Sequence, residues 1–545
     1  MPDTTPPRRL PRGAAERAVA AAMRDPRLVQ AALALVENRI PAAEQLLREH
    51  LKVDPIDVAA IRMLGEVAAR IGRYRDSENL LRRALELDPE YGAARANLAT
   101  VLYRQGRSEE AIGELDALIG DDPHNPAHAN LKAAALGRIG EFEEAIALYE
   151  QVLAAAPRQP RVWLSYGHML KTLGRMDDGV AAYRKALDIA PTLGEAWWSL
   201  ANLKVVTFSD QDVIAMQSAL AFEGLDENDR LQLEFALGKA MEDRRDFAAA
   251  FARYSAGNAV RRKSLPYDAA ATRAFVDSAI DVFTPAFLAA RRDTGDPSPD
   301  PIFVVGMPRA GSTLIEQILS SHSSVEGTTE LPDIPALTKR IPAYPRGLAD
   351  ADPSRFHAIG AAYLKRAQVQ RKTARPFFID KLPNNWAYIG FIKLILPNAK
   401  IIDARRHPLG CCFSNFKQHF ARGQAFTYDL DDVGHYYADY VRLAAHFDRV
   451  LPGFVHRVTY ERMVEDTEAE IRALLAHCGL PFEEGCLRFF ETERPVRTPS
   501  SEQVRRPIFR EGAETWLHFE PFLGALKDAL GDALDCYPEV PPGWA

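Results

Sequence analysis

The amino-acid sequence predicts two architectures in succession: a solenoid of stacked helical hairpins, then an α/β domain with a mostly parallel sheet and a phosphate-cradling loop. Three observations carry this expectation. Prolines at 55, 89, 123, 157 and 191 recur every 34 residues, and self-similarity at a fixed period of that size marks a stacked repeat. After residue 301 the rhythm changes to short β-branched runs alternating with helical patterns, as in a parallel sheet covered by helices. Between the first run and its helix stands Gly306-Met-Pro-Arg309-Ala310-Gly311-Ser312-Thr313. There backbone N–H groups and the positive end of a helix dipole converge on one spot that suits an anion.

Size and composition agree with two or more units. A chain of 545 residues exceeds one ordinary domain, and 47% hydrophobic with 26% charged residues is globular. A formal net charge of −7 gives no support for a nucleic-acid partner, so any basic patch must be local. Five cysteines (Cys411, Cys412, Cys478, Cys486 and Cys536) form no spaced framework, which fits a reducing compartment. No apolar stretch is long enough to cross a bilayer. The N-terminus is Pro- and Arg-rich, then Ala-rich, without the apolar segment and cleavage site of a secretory signal. The expected location is cytoplasmic.

Residues 1–27 read as a flexible arm. From 28 to 262 the hairpins follow one another. Glycines at 72, 106, 140 and 174, with Asn38 one interval earlier, mark the turn inside each hairpin, where positive φ is cheap. The proline closes the second helix. Twelve residues before each proline stands a small side chain, Ala43, Ser77, Ala111, Ala145 or Gly179, which lets the two helices cross closely. This is the pattern of tetratricopeptide repeats. Five are clear, between about 28 and 192; a degenerate sixth contains Trp197 and Trp198, and a seventh-like hairpin lies near 229–262. Their superhelix offers a concave face for a peptide or extended polypeptide; the alternative is a scaffold that assembles the chain into a homo-oligomer. Residues 263–300 form a connecting helix, over 263–290, and a Pro-, Asp- and Gly-rich linker. Beyond it, strands are expected at Ile302–Val305, Phe377–Asp380, Ala399–Ala404 and Phe454–Thr459, with helices at Trp386–Leu396 and Leu409–Phe420. Ligands of such sheets bind at the strand carboxyl ends.

The loop has the glycine spacing of a Walker A motif, but Ser312 stands where that motif needs Lys. The cation, Arg309, lies inside the loop instead. A second anion site follows the strand that ends in Arg406, with Ser414 eight residues further on. Arginine offers a planar fork matched to phosphate oxygens, and the hydroxyl adds a donor. Two phosphate-type sites without an acidic metal motif point to a nucleotide carrying separate 5′ and 3′ groups rather than Mg-ATP. Asp429, Asp431 and Asp432 read as N-terminal charges of a helix, and thirteen histidines show no ligand spacing, so no metal is expected.

The block Pro-Arg-x-Gly-[Ser/Thr]-Thr-Leu resembles the 5′-phosphosulfate loop of sulfotransferases that use 3′-phosphoadenosine 5′-phosphosulfate (PAPS). It looks most like the protein-tyrosine branch, and the resemblance covers residues 301–545. The whole arrangement resembles bacterial repeat–sulfotransferase fusions. The resemblance implies that Arg309, Ala310, Gly311, Ser312 and Thr313 hold the 5′-phosphosulfate, and that Arg406 and Ser414 hold the 3′-phosphate. Tyr460, beside Glu461, would border the nucleotide. Glu330, 21 residues after Arg309, matches the family's general base; a carboxylate there can take the proton of an attacking hydroxyl. Lys381 matches the lysine that steadies the bridging oxygen as the sulfuryl group leaves. Ser500 matches the serine of a Ser-x-x-Gln-Val-x-basic-Pro segment, with Arg506 at the basic slot and Ser501 an adjacent rival. One departure concerns the basic residue that the branch carries one turn after Ser414: here it is Gln418, with Lys417 beside it.

The expected fold class is therefore an N-terminal tetratricopeptide-repeat α-solenoid followed by a P-loop-like α/β sulfotransferase domain with a mostly parallel sheet. The implied reaction moves a sulfuryl group from PAPS to an acceptor hydroxyl, foremost tyrosine of a protein or peptide recruited by the repeats. A glycan, lipid or small alcohol acceptor is the alternative, and a repeat scaffold with an inactive nucleotide domain is another. The missing P-loop lysine and metal carboxylates disfavour a kinase.

Overall fold

The computed structural model describes residues 25–123, 125–203, 205–328, 330–420, 423–492, 494, 503–508 and 514–544. The chain divides into two compact units between Ala190 and Pro191.

The first unit is helical hairpins, from Pro26–Val36 with Ile40–Val53 to Pro160–Thr172 with Met176–Ile189. Each turn inside a hairpin holds one residue at positive φ: Asn38 at 55°, Gly72 at 78°, Gly106 at 82°, Gly140 at 98° and Gly174 at 82°. Ala43, Ser77, Ala111 and Ala145 are completely buried at the helix crossings. Ser77 shows why the position stays small: its hydroxyl donates to the Gly65 carbonyl at 2.7 Å, across the crossing. The apolar clusters are strung along the solenoid, each drawing on neighbouring hairpins, as expected where every repeat buries only its neighbours' faces.

The second unit opens with helices Gly194–Asn202 and Asp210–Leu220, then the hairpin Glu227–Asp243 with Phe247–Ser264. Leu231, Phe235, Ala250 and Tyr254 of this hairpin belong to the same hydrophobic cluster as the strands that follow. The helix expected over 263–290 is broken in two, Ala269–Val282 and Pro285–Ala289. Thr284 caps the second piece and Pro285 occupies its first turn, where a missing N–H costs nothing.

Five parallel strands build the sheet: β1 (Pro301–Gly306), β2 (Val325–Gly327), β3 (Phe377–Lys381), β4 (Lys400–Arg405) and β5 (Val455–Thr459), in the order β2-β3-β1-β4-β5. β1 is buried along its whole length, as its central place and continuous apolar run require. β2 was not anticipated, because three residues with one apolar side chain show no periodicity. The stretch expected as a helix over Trp386–Leu396 begins as a 3-10 helix, Pro383–Tyr388, and turns α-helical only over Ile389–Ile395. The helix after β4 spans Pro408–Phe416 and stops short of Phe420. With β1 central and the chain crossing to β2 and β3 on one side and β4 and β5 on the other, the crevice opens at the carboxyl end of β1.

Candidate active site

The site is built from the ends of four strands. At the end of β1, Gly306 has a φ of 127°, and a Cβ there would lie 2.3 Å from the carbonyl oxygen of Ala404 on β4. Only glycine permits that approach. The chain then turns through Arg309, itself at a φ of 68°, to Gly311 at 101°. Gly311 is the N-cap of helix Ser312–Ser320 and brings no side chain to the helix start. Ala310, Ser312 and Thr313 are buried in this turn. The loop is moored to helix Pro408–Phe416 through the Pro308 carbonyl, which accepts from Asn415 Nδ2 at 2.7 Å and Cys411 Sγ at 3.4 Å.

Arg309 and Arg406 meet at this mooring. Arg309 Nε donates to Ser414 Oγ at 3.2 Å, and Arg406 Nη1 donates to the Arg309 carbonyl at 3.4 Å. The Arg406 guanidinium lies 4.9 Å from the centre of the Tyr460 ring. Tyr460 in turn leaves no room at Gly311, where a Cβ would stand 3.0 Å from the ring. Burial, and then the charge of Arg406, hold the Arg309 guanidinium down to about 10. Two half-buried cations crowded together are the electrostatics of an anion site. They line a cavity of about 170 Å³ together with Ser414, Lys417, Trp198 and Trp516. The neighbouring Arg405 is buried and bonded to Asp403 and Tyr440 instead.

A second cluster forms at the end of β3. Lys381 is 2% exposed, and its Nζ lies 2.6 Å from Glu330 Oε1. The Glu330 side chain is 52% exposed. Glu316, buried on helix Ser312–Ser320, stands 3.9 Å from the same ammonium and accepts from Arg494 Nη1 at 3.0 Å. Just before Lys381, Asp380 is fully buried and accepts from the Tyr363 hydroxyl at 2.8 Å; burial pushes its carboxyl up to about 8. Together these groups place one fixed cation beside one exposed carboxylate, the pairing needed to stabilise a leaving oxygen and take a proton.

The structure thus brings Arg309, Arg406, Ser414 and Tyr460 together, and Lys381 with Glu330. Ser500 and its rival Ser501 lie outside the described residues. Glu461, beside Tyr460, accepts from the His407 N–H at 3.0 Å and the Tyr537 hydroxyl at 2.5 Å. His322, near Glu330 in sequence, is completely buried, with Nε2 against the Pro481 carbonyl and Nδ1 accepting from the Ser324 N–H, both at 3.0 Å. Gln418 is buried and donates to Asn202 Oδ1 at 3.2 Å and the His419 carbonyl at 3.1 Å. Asp429 caps helix Leu430–Val450 by accepting from the N–H groups of Asp431 and Asp432.

Sequence reasoning passed over Glu316, Arg494, Lys239 and Glu242. Glu316 carried a signal: it lies one turn after Ser312, a charge on an otherwise apolar helix. Lys239 and Glu242 line the cavity from a hairpin far upstream, and no local pattern marks them. Among the described residues no group of three or more His, Cys, Asp and Glu is placed to hold a metal ion, and no helix is long and apolar enough to cross a membrane.

Residues 301–484 match the model of the sulfotransferase family, and residues 72–135 and 130–193 match tetratricopeptide-repeat models. The chain therefore carries a sulfotransferase-family domain behind tetratricopeptide repeats. An uncharacterized protein of Aquifex aeolicus (strain VF5) is 34% identical over 336 residues, which is 59% of this chain and 44% of that protein. The match thus spans less than half of that curated relative's length. Two solved structures are similar to parts of the chain. MamA (41-end) from Desulfovibrio magneticus RS-1 is 16% identical, with 32% of this chain and 95% of that chain covered at a TM-score of 0.28. YrrB, described as a TPR protein with an unusual peptide-binding site, is 20% identical, with 34% and 97% covered at 0.29.

Proposed function

We propose that the chain transfers a sulfuryl group from PAPS to an acceptor hydroxyl, and that the acceptor is tyrosine in a polypeptide presented by the repeats. The observation that supports this reading is the convergence of Arg309, Arg406 and Ser414 on one cavity at the carboxyl ends of β1 and β4, with the Lys381–Glu330 pair at the end of β3. The donor fits this set: two half-buried guanidinium groups crowded against each other are relieved by phosphate, and the loop lacks the lysine a γ-phosphate needs.

In this reading the loop from Arg309 to Thr313 holds the 5′-phosphosulfate, while Arg406 and Ser414 hold the 3′-phosphate beside Tyr460. PAPS supplies an activated sulfuryl group whose bond to the 5′-phosphate oxygen breaks as the acceptor oxygen bonds to sulfur. Glu330, exposed at the rim, takes the acceptor's proton. Lys381 places its charge on the oxygen that leaves, and Ser500 is proposed to donate to the same region. Five free thiols, four of them buried, fit a reducing, cytoplasmic setting.

Calorimetry in the presence of EDTA tests the donor. The protein is expected to bind 3′,5′-adenosine bisphosphate far more tightly than ATP, with no need of Mg²⁺. ATP binding as tight, or dependence on metal, would remove PAPS. Mass spectrometry of tyrosyl peptides and of glycans after incubation with labelled PAPS then separates the two acceptor classes.

A further inference from the structure

The cavity that holds Arg309 and Arg406 has a second wall, and that wall comes from helices Gly194–Asn202 and Glu227–Asp243, which precede the sheet. Trp198, Asn202, Lys239 and Glu242 line it. Across it runs Lys417, one turn after Ser414, with its ammonium 5.6 Å from the Phe413 ring centre and 2.6 Å from Glu242 Oε1. The Glu242 carboxylate is a fixed group. Its other oxygen accepts from the Tyr254 hydroxyl at 2.7 Å, and the Tyr254 ring is packed so closely on Gly238 that a Cβ there would lie 2.6 Å away. Burial opposes its charge, yet Lys417 and Tyr254 hold the Glu242 carboxyl below the usual range. Gln418 carries no charge, and its amide donates to Asn202.

We propose that Lys417 is the third cation of the phosphate site, and that Glu242 of the repeat-like hairpin is a specificity-determining residue that competes with the nucleotide's second phosphate for it. This rests on the reading of the site as one for a nucleoside 3′,5′-bisphosphate. A carboxylate facing the cavity repels a phosphate, and its ion pair takes up the lysine's charge while the cavity is empty of anion. A dianionic phosphate near Arg406 draws Lys417 away from Glu242. The hairpin thereby tunes donor affinity, and the missing basic residue at Gln418 is made good by its neighbour.

The test compares binding of 3′,5′-adenosine bisphosphate and 5′-adenosine monophosphate to the full chain by calorimetry, for the parent, Lys417→Met, Glu242→Gln and the double variant. Lys417→Met is expected to weaken bisphosphate binding roughly ten- to hundred-fold and to leave the monophosphate nearly unchanged. Glu242→Gln keeps the shape and the bond from Tyr254, and is expected to tighten bisphosphate binding about three- to ten-fold, an effect lost in the double variant. A merely structural ion pair would weaken binding in both single variants, which overturns the inference, as would no change in either. Thermal unfolding of each variant shows whether a loss is one of folding. If the parent itself shows no preference for the bisphosphate, the site reading and this inference fall together; if it does, only the variants decide.

Discussion

Lys381 and Glu330 face each other at 2.6 Å, and in the proposed reaction the acceptor hydroxyl would enter beside them. The ammonium is buried and would be stranded when Glu330 turns to the acceptor. Glu316, 3.9 Å away and itself buried, keeps it balanced. Replacing Glu330 by Gln preserves shape but removes proton acceptance, so donor affinity should hold while kcat falls on the order of 10²–10⁴-fold. An acidic acceptor such as a nitrophenol should recover part of that rate. Equal turnover of variant and parent on a tyrosyl peptide would take Glu330 out of the mechanism. Asp380 carries a different test. With its carboxyl raised from 3.8 to about 8 by burial, the folded chain holds one more proton than the unfolded chain between those values. Stability from this group is complete below pH about 4 and is lost as pH rises toward 8, with a slope of at most ~1.4 kcal/mol per pH unit. Asp380→Asn, which keeps the Tyr363 contact, should flatten that part of the Tm-against-pH curve; an unchanged slope would place the titration elsewhere.

At the scale of elements, glycines that look alike in sequence do different work. Gly72 and Gly306 both have positive φ, 78° and 127°. Around Gly72 a Cβ would meet nothing within 4 Å, whereas at Gly306 it would strike the Ala404 carbonyl at 2.3 Å. Gly72→Ala should therefore cost only backbone strain, about 1–2 kcal/mol. Gly306→Ala must part β1 from β4 as well, and should lower stability by more than ~2 kcal/mol and abolish nucleotide binding. Equal Tm shifts in the two variants would contradict the close approach. The repeat turns were legible because one residue per 34 had to adopt positive φ. The strand ends were legible because short apolar runs stop just before Gly306, Lys381 and Arg405. The short β2 and the 3-10 start before Ile389 were not, since pairing and packing, not periodicity, create them.

For the molecule as a whole, the core of the second unit decides where the chain can be cut. Leu231, Phe235, Ala250 and Tyr254 lie in the same buried cluster as the strands, and Phe251 stacks on Phe416 at 5.9 Å and Phe522 at 5.0 Å. A Leu or Phe side chain contributes roughly 1.5–3 kcal/mol when fully buried. A fragment of residues 191–545 should unfold in one cooperative transition and bind 3′,5′-adenosine bisphosphate, while 265–545 should be unfolded or aggregate. Cooperative folding of the shorter fragment would show the hairpin to be dispensable. The repeat period, the alternation of strands and helices, and the cationic loop were determined by the sequence alone, because each depends on spacings of a few residues and on the local demands of a turn, a helix start or a buried strand. That Arg309 shares a cavity with Arg406, that Lys381 has Glu316 behind it, and that Glu242 reaches Lys417 were decided only by tertiary structure. Such contacts join residues tens to hundreds of positions apart, and only the packing of one core brings them within reach of a hydrogen bond.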